Sequence, residues 1–141
     1  MRLNEECIRD TLQYLVDNLE LNLTDLKGDF NSLSLLSVMK HFDNIYSKED
    51  IWYSIYNLSK DNFIETNDIR KNSVNAFAYV YIFNVTHRGH NFYESIQPEP
   101  IWNKTKNVVS KVGVHTLEFM ESVAHDIILE SAKQIILSTQ H

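Results

Sequence analysis

His87, His90 and Glu94 stand three and four residues apart within "VTHRGHNFYESI", residues 85–96. On a helix this spacing puts two imidazoles and a carboxylate on one face, the ligand types that zinc or another divalent ion takes. All three would come from a single helix, with nothing in the sequence to supply a second shell, and so loose a pattern has many false positives. His41, His115, His125 and His141 are scattered along the chain, and no metal is expected. Gly89, between the two histidines, is isolated like Gly28 and Gly113. None belongs to a Gly-rich strand-to-helix turn that could cradle phosphate. Serine, histidine and aspartate all occur, but nothing marks a strained nucleophile position. Cys7 falls inside an amphipathic helix without an activating neighbour. The chain is therefore expected not to be an enzyme, with no catalytic residue and no cofactor.

Composition narrows the class. The 141 residues are 43% hydrophobic, enough for one real core. A lone cysteine excludes an internal disulfide framework, and "MRLNEECIRD" is charged where a signal peptide would be apolar, so a cytoplasmic protein is expected. No membrane association is expected, since even "IILESAKQIIL" is interrupted by Glu130 and Lys133. Thirteen basic against nineteen acidic residues give a net charge of −6, a field that repels nucleic acid at long range.

The elements follow from periodicity. Ile8, Leu12, Leu15, Val16 and Leu19 make a first helix, with Asn4 as N-cap, Glu5 and Glu6 in the first turn and Leu3 and Ile8 as a hydrophobic staple. "LNLTDLKGDFN" reads as a short strand or loop. A second helix carrying Leu35, Val38, Met39 and Phe42 begins after Asn31 or Ser32, and a third runs from the capping Ser47 to about Lys60 with Ile51, Ile55 and Leu58 inward. Residues 63–85 read as a β-hairpin around an Asn- and Asp-rich turn. Thr86 caps a fourth helix, and "QPEP" breaks it. A fifth runs from about Pro100 or Ile101 to Val112, stopped by Gly113, and a last from about Thr116 to Ser138.

The fold class is thus mainly α with a small β-hairpin, in the order of a winged helix-turn-helix (residues 1–97) with a C-terminal helical extension (98–141). In the register set by Thr86, Gly89 faces inward with Ile96, where it lets its helix approach another backbone. "VTHRGHNFYESI" resembles the hydrophobic-Thr-x-x-Gly-x-x-x-hydrophobic junction between wing and following helix in bacterial winged-helix proteins. "GHNFYESIQPEPIWNKTKNVVSKVG" and "YSKEDIWYSIYNLSKDNFIE", about 45 residues together, resemble a family of small bacterial and phage-borne proteins catalogued as a domain of unknown function. Gly89-His90 and Ile101-Trp102-Asn103-Lys104 are its more specific pieces; His87 and the prolines Pro98 and Pro100 depart from it. The resemblance implies a fold and no activity.

In a winged helix the third helix reads and the hairpin is the wing. An advance of 100° per residue puts Glu49, Tyr53, Tyr56, Asn57 and Lys60 on its outer face, with Trp52 at the flank. No arginine is there for guanine, although Asn57 could address adenine. Arg70 and Lys71 at the wing turn suit phosphate or minor-groove contact. Four basic against five acidic residues from Ser47 to Lys71 nevertheless leave a local charge of −1. The tyrosines either pack half-buried or, if exposed, make a protein-binding surface.

In the last helix Leu117, Met120, Ala124, Ile127 and Ser131 follow a 3,4 spacing, and Ile128, Leu129, Ile135, Ile136 and Leu137 add apolar residues on other faces. It either folds back over the first helix or pairs with a second copy, and a homodimer is the expectation. The functional expectation is a non-enzymatic interaction or regulatory module with a protein partner. The alternative is a DNA-binding transcriptional regulator using helix 47–60 and wing 63–85.

Overall fold

The computed structural model describes residues 2–19, 21–22, 29–30, 32–67, 69 and 79–139, with the backbone alone at 21–22 and 29–30. Among these the chain is mainly helical, with six helices and a small three-stranded antiparallel sheet. It divides into two compact units, residues 1–90 and 91–141.

The first unit opens with α1 (Glu5–Asn18). Asn4 Oδ1 accepts the Cys7 amide at 3.1 Å, and Glu5 and Glu6 lie against the positive end of the helix dipole. A short ribbon follows, β1 (Leu21–Asn22) antiparallel to β2 (Asp29–Phe30), and then β3 (Leu33–Ser34) and α2 (Leu35–His41). The sequence predicts a start for this helix after Asn31 or Ser32. It starts later because Leu33 and Ser34 pair with Ile82 and Tyr81 of β5 (Tyr81–Val85), and because Ser34 Oγ accepts the Ser37 amide at 3.1 Å as the cap.

Next come α3 (Lys48–Lys60), capped by Ser47 Oγ on the Asp50 amide at 3.1 Å, and β4 (Ile64–Thr66). β4 pairs with β5 from Ile64 opposite Val85, with an irregularity between Glu65 and Thr66. The sheet order β3-β5-β4 puts β5 in the centre, so the expected hairpin carries a third strand. The order is thus a helix, three short strands, two helices and the β4–β5 hairpin.

Leu12 and Leu15 of α1, Ile51, Ile55 and Leu58 of α3, and Phe63, Ile64 and Ile82 around the sheet are all buried. Each such side chain contributes about 1.5–3 kcal/mol by leaving water. Polar ties fix the angle between the helices. Asn4 Nδ2 donates to Asp50 Oδ2 at 3.2 Å, and the Tyr46 hydroxyl donates to Asp10 Oδ2 at 2.5 Å.

α4 (His87–Ile96) begins where Thr86 Oγ1 accepts the Gly89 amide at 3.1 Å, and the division between the units falls within it. In the second unit α5 (Glu99–Val112) has a proline in its first turn and ends at Gly113, whose φ of 82° is the left-handed conformation of a C-terminal stop. α6 (Leu117–Thr139) is started by Thr116 Oγ1 on the Phe119 amide at 3.1 Å. α5 packs along α6, and Trp102, Val109, Leu117, Met120 and Ala124 are buried. With 23 residues against 14, α6 is longer than α5 by about 14 Å at 1.5 Å per residue. Leu129, Ile135, Ile136 and Leu137 on its last turns are exposed. No described helix is long and apolar enough to cross a membrane.

Candidate interaction face

The burial of α3 agrees with its sequence periodicity: Ile51, Ser54, Ile55 and Leu58 point inward. On the opposite side Glu49 and Lys60 are exposed, and Trp52, Tyr53, Tyr56 and Asn57 are half-buried. One turn apart, the Trp52 and Tyr56 rings tilt against each other with centroids 5.9 Å apart, which makes a short aromatic ridge along the helix flank. Asn57 does not project freely. Its Nδ2 donates one of its two protons to the Tyr53 carbonyl at 2.8 Å, which orients the amide and leaves the second N–H and Oδ1 for another partner.

The electrostatics at the two ends of α3 are opposite. Glu49 and Asp50 occupy the first turn and Lys60 the last, so the helix complements its own dipole. Phosphate approaching the N-terminal half would meet two carboxylates. Beneath α3, Cys7 Sγ lies 3.8 Å from Thr11 Oγ1, and burial pushes the thiol above its ordinary range. A fully buried, protonated thiol is no nucleophile.

Arg70 and Lys71, the expected wing contacts, lie outside the described residues. At the base of the wing Asn67 spans the hairpin: its Nδ2 donates to the Tyr79 carbonyl and its Oδ1 accepts the Tyr81 amide at 2.9 Å. Tyr79, just before β5, and Tyr81 and Phe83 within it stand at alternate positions, and all three are exposed. This period-2 signal was readable in the sequence, although the site residues drawn from it were confined to the third helix and the wing turn.

The Ser59 and Thr66 hydroxyls meet at 2.7 Å and tie the end of α3 to β4. Beside this tie lies a cleft of about 610 Å³, whose wall includes Tyr56, Lys60 and Asn62. Asn62 holds a left-handed φ of 65°, which asparagine tolerates better than most residues, and its carbonyl accepts the Thr86 hydroxyl at 2.7 Å. Of these cleft residues, sequence reasoning singled out Tyr56 and Lys60 and missed Asn62. "KDNF" after a helix was the available clue to a left-handed stop.

His87, His90 and Glu94 are exposed. Among the described residues no group of three His, Cys, Asp or Glu side chains is placed to hold a metal ion. The same stretch does position backbone: Gly89 is buried, and a β-carbon there would overlap the Phe63 carbonyl oxygen and come within 2.8 Å of Val85 Cγ1.

Among the described residues, six helices with a small three-stranded antiparallel sheet and an aromatic ridge on α3 place the chain in the class of small, mainly helical proteins. Residues 2–115 match the family model described as Hypothetical protein (DUF2513), and the chain belongs to that family. No curated protein and no solved structure matches it.

Proposed function

We propose that this chain is a non-enzymatic interaction or regulatory module of winged-helix type, acting in the cytoplasm, whose outer α3 face binds a protein. The observation that carries this reading is the Trp52–Tyr56 ridge on a helix whose charges cancel along its length. Aromatic side chains in a setting poor in cations are enriched at protein interfaces, whereas helices that read DNA bring arginine and lysine. A bacterial or phage-borne setting is part of the proposal, on the strength of the Gly89-His90 and Ile101-Trp102-Asn103-Lys104 pieces.

The module works as a homodimer joined through the last turns of α6. Ile135 is 64% and Leu137 63% exposed, and these turns extend beyond the length of α5. Apolar surface left in water on a long helix favours pairing with an identical helix, and a two-fold arrangement closes the assembly.

The test is affinity capture with the intact chain, after nuclease treatment, compared with a Trp52→Ala, Tyr53→Ala double variant of unchanged thermal stability. A protein partner held by the wild type and lost by the variant is expected, because truncating a central interface aromatic costs about 2 kcal/mol or more. Capture that disappears with nuclease treatment would instead favour the DNA-binding regulator using helix 47–60 and wing 63–85.

A further inference from the structure

The polar side chains at the C-terminal end of α3 are unevenly committed. Ser59 and Thr66 satisfy each other, and Asn67 bridges Tyr79 and Tyr81. The Lys60 ammonium, the Asn62 side-chain amide and the Tyr56 hydroxyl have no hydrogen-bond or ion-pair partner among the described residues. All three line the cleft between α3 and the start of the hairpin. Its volume of about 610 Å³ is within the range of roughly 300–1,000 Å³ usual for ligand clefts. Among the described residues in its wall, Lys60 carries the charge.

An ammonium, an amide N–H and a phenol in the residues around one cleft are the donor types that complement an anionic oxygen. The charge of the whole chain then discriminates between anions. At −6 it repels a polyanion at long range, and the repulsion grows with each added phosphate. Salt screens this repulsion for every ligand alike, but it scales with ligand charge and so weighs least on a single carboxylate, which keeps the local attraction of Lys60. Tyr56 belongs both to the cleft and to the aromatic ridge, so one ligand can engage both.

We infer that this cleft receives the acidic side chain of a peptide segment whose neighbouring aromatic or aliphatic residue rests on Trp52 and Tyr56. The inference builds on the reading of α3 as a protein-binding face and adds the chemistry of the partner: an acidic residue next to an apolar one.

Amide chemical shifts of the full chain, followed during titration with blocked dipeptides, test it. The probes are acetyl-tryptophyl-aspartyl-amide, its asparaginyl counterpart and a short single-stranded oligonucleotide. Saturable shifts between Tyr56 and Asn67 are expected, with the aspartyl probe preferred by about tenfold. Lys60→Gln should abolish that preference while leaving the rest of the spectrum unchanged. Equal affinity for the two dipeptides, tighter binding of the oligonucleotide, or no saturable shift in this segment up to about 10 mM probe, a dissociation free energy below about 3 kcal/mol, would overturn it. Two results separate this inference from the α3 reading. Binding of both dipeptides equally, lost in Trp52→Ala, removes the cleft inference and leaves the aromatic face standing. An acidic preference that survives Trp52→Ala with the affinity of the aspartyl probe undiminished keeps the carboxylate site and removes the aromatic face.

Discussion

Gly89 meets Phe63 backbone to backbone: the α-carbon of α4's first turn comes so close to the Phe63 carbonyl oxygen that no β-carbon fits between them. The same carbonyl accepts the Thr86 amide at 3.0 Å, and Arg88 lies over the Phe63 ring with its guanidinium carbon 4.3 Å from the centroid. The end of the wing and the start of α4 are therefore locked onto the residue just before β4. Alanine in place of glycine ordinarily stabilises a helix by about 1 kcal/mol. Here Gly89→Ala should destabilise instead, by about 1–3 kcal/mol, because the clashing atom is backbone and cannot rotate away. Thermal unfolding measures this directly, and an unchanged or raised midpoint would show that the helix has room to shift.

The buried thiol and the Tyr46 phenol make stability depend on pH at the alkaline end. Burial raises Cys7, and burial together with its hydrogen bond to Asp10 raises Tyr46. The unfolded chain releases these protons at the ordinary values of about 8.5 and 10, while the folded chain holds them to higher pH. The folded state thus binds more protons in these windows, and stability must fall as pH rises. Melting midpoints measured from neutral pH upward should decline from about pH 8.5, and more steeply above about pH 10. Cys7→Ala should flatten the first part of the decline and Tyr46→Phe the second; a profile level to pH 11 in the wild type would contradict both assignments.

Two turns of α6 carry the proposed dimer. Ile135→Glu with Ile136→Glu places charge in the exposed apolar stretch without touching the buried Leu117, Met120 and Ala124. By light scattering the wild type is expected at the mass of two 16.5 kDa chains, and the variant at the mass of one with its helical content retained. A wild-type monomer under the same conditions would remove the dimer from the proposal.

Much of this architecture was legible because local rules and burial agree. Asn4, Ser47 and Thr86 cap as their types suggest, Gly113 takes the left-handed stop, and Ile51, Ile55 and Leu58 face inward at helical spacing. Gly89 was readable as an inward residue from its register alone, although its partner, Phe63, was not, being 26 positions away. What stayed hidden depends on long-range pairing. Leu33 and Ser34 are too short a run to announce a strand, and only the edge of β5 makes them one. The cleft likewise needs the α3 terminus, Asn62 and the hairpin together, and no periodicity encodes that meeting. On α3 the inward turn of Ile51, Ile55 and Leu58 follows from spacing, whereas the Asn57 to Tyr53 hydrogen bond is a rotamer choice that spacing does not encode.

The central claim, that the α3 face serves a protein rather than a nucleic acid, is tested most directly by fluorescence anisotropy of labelled duplex DNA titrated with the intact protein. The duplexes should include random sequence and the protein's own upstream region, each over a series of salt concentrations. With carboxylates in the first turn of α3 and a chain charge of −6, binding at physiological salt should be no tighter than about 10⁻⁴ M, without preference for sequence. Nanomolar, sequence-dependent binding whose salt slope falls by about one unit in Lys60→Ala would contradict the claim and make Trp52, Tyr53 and Tyr56 groove contacts.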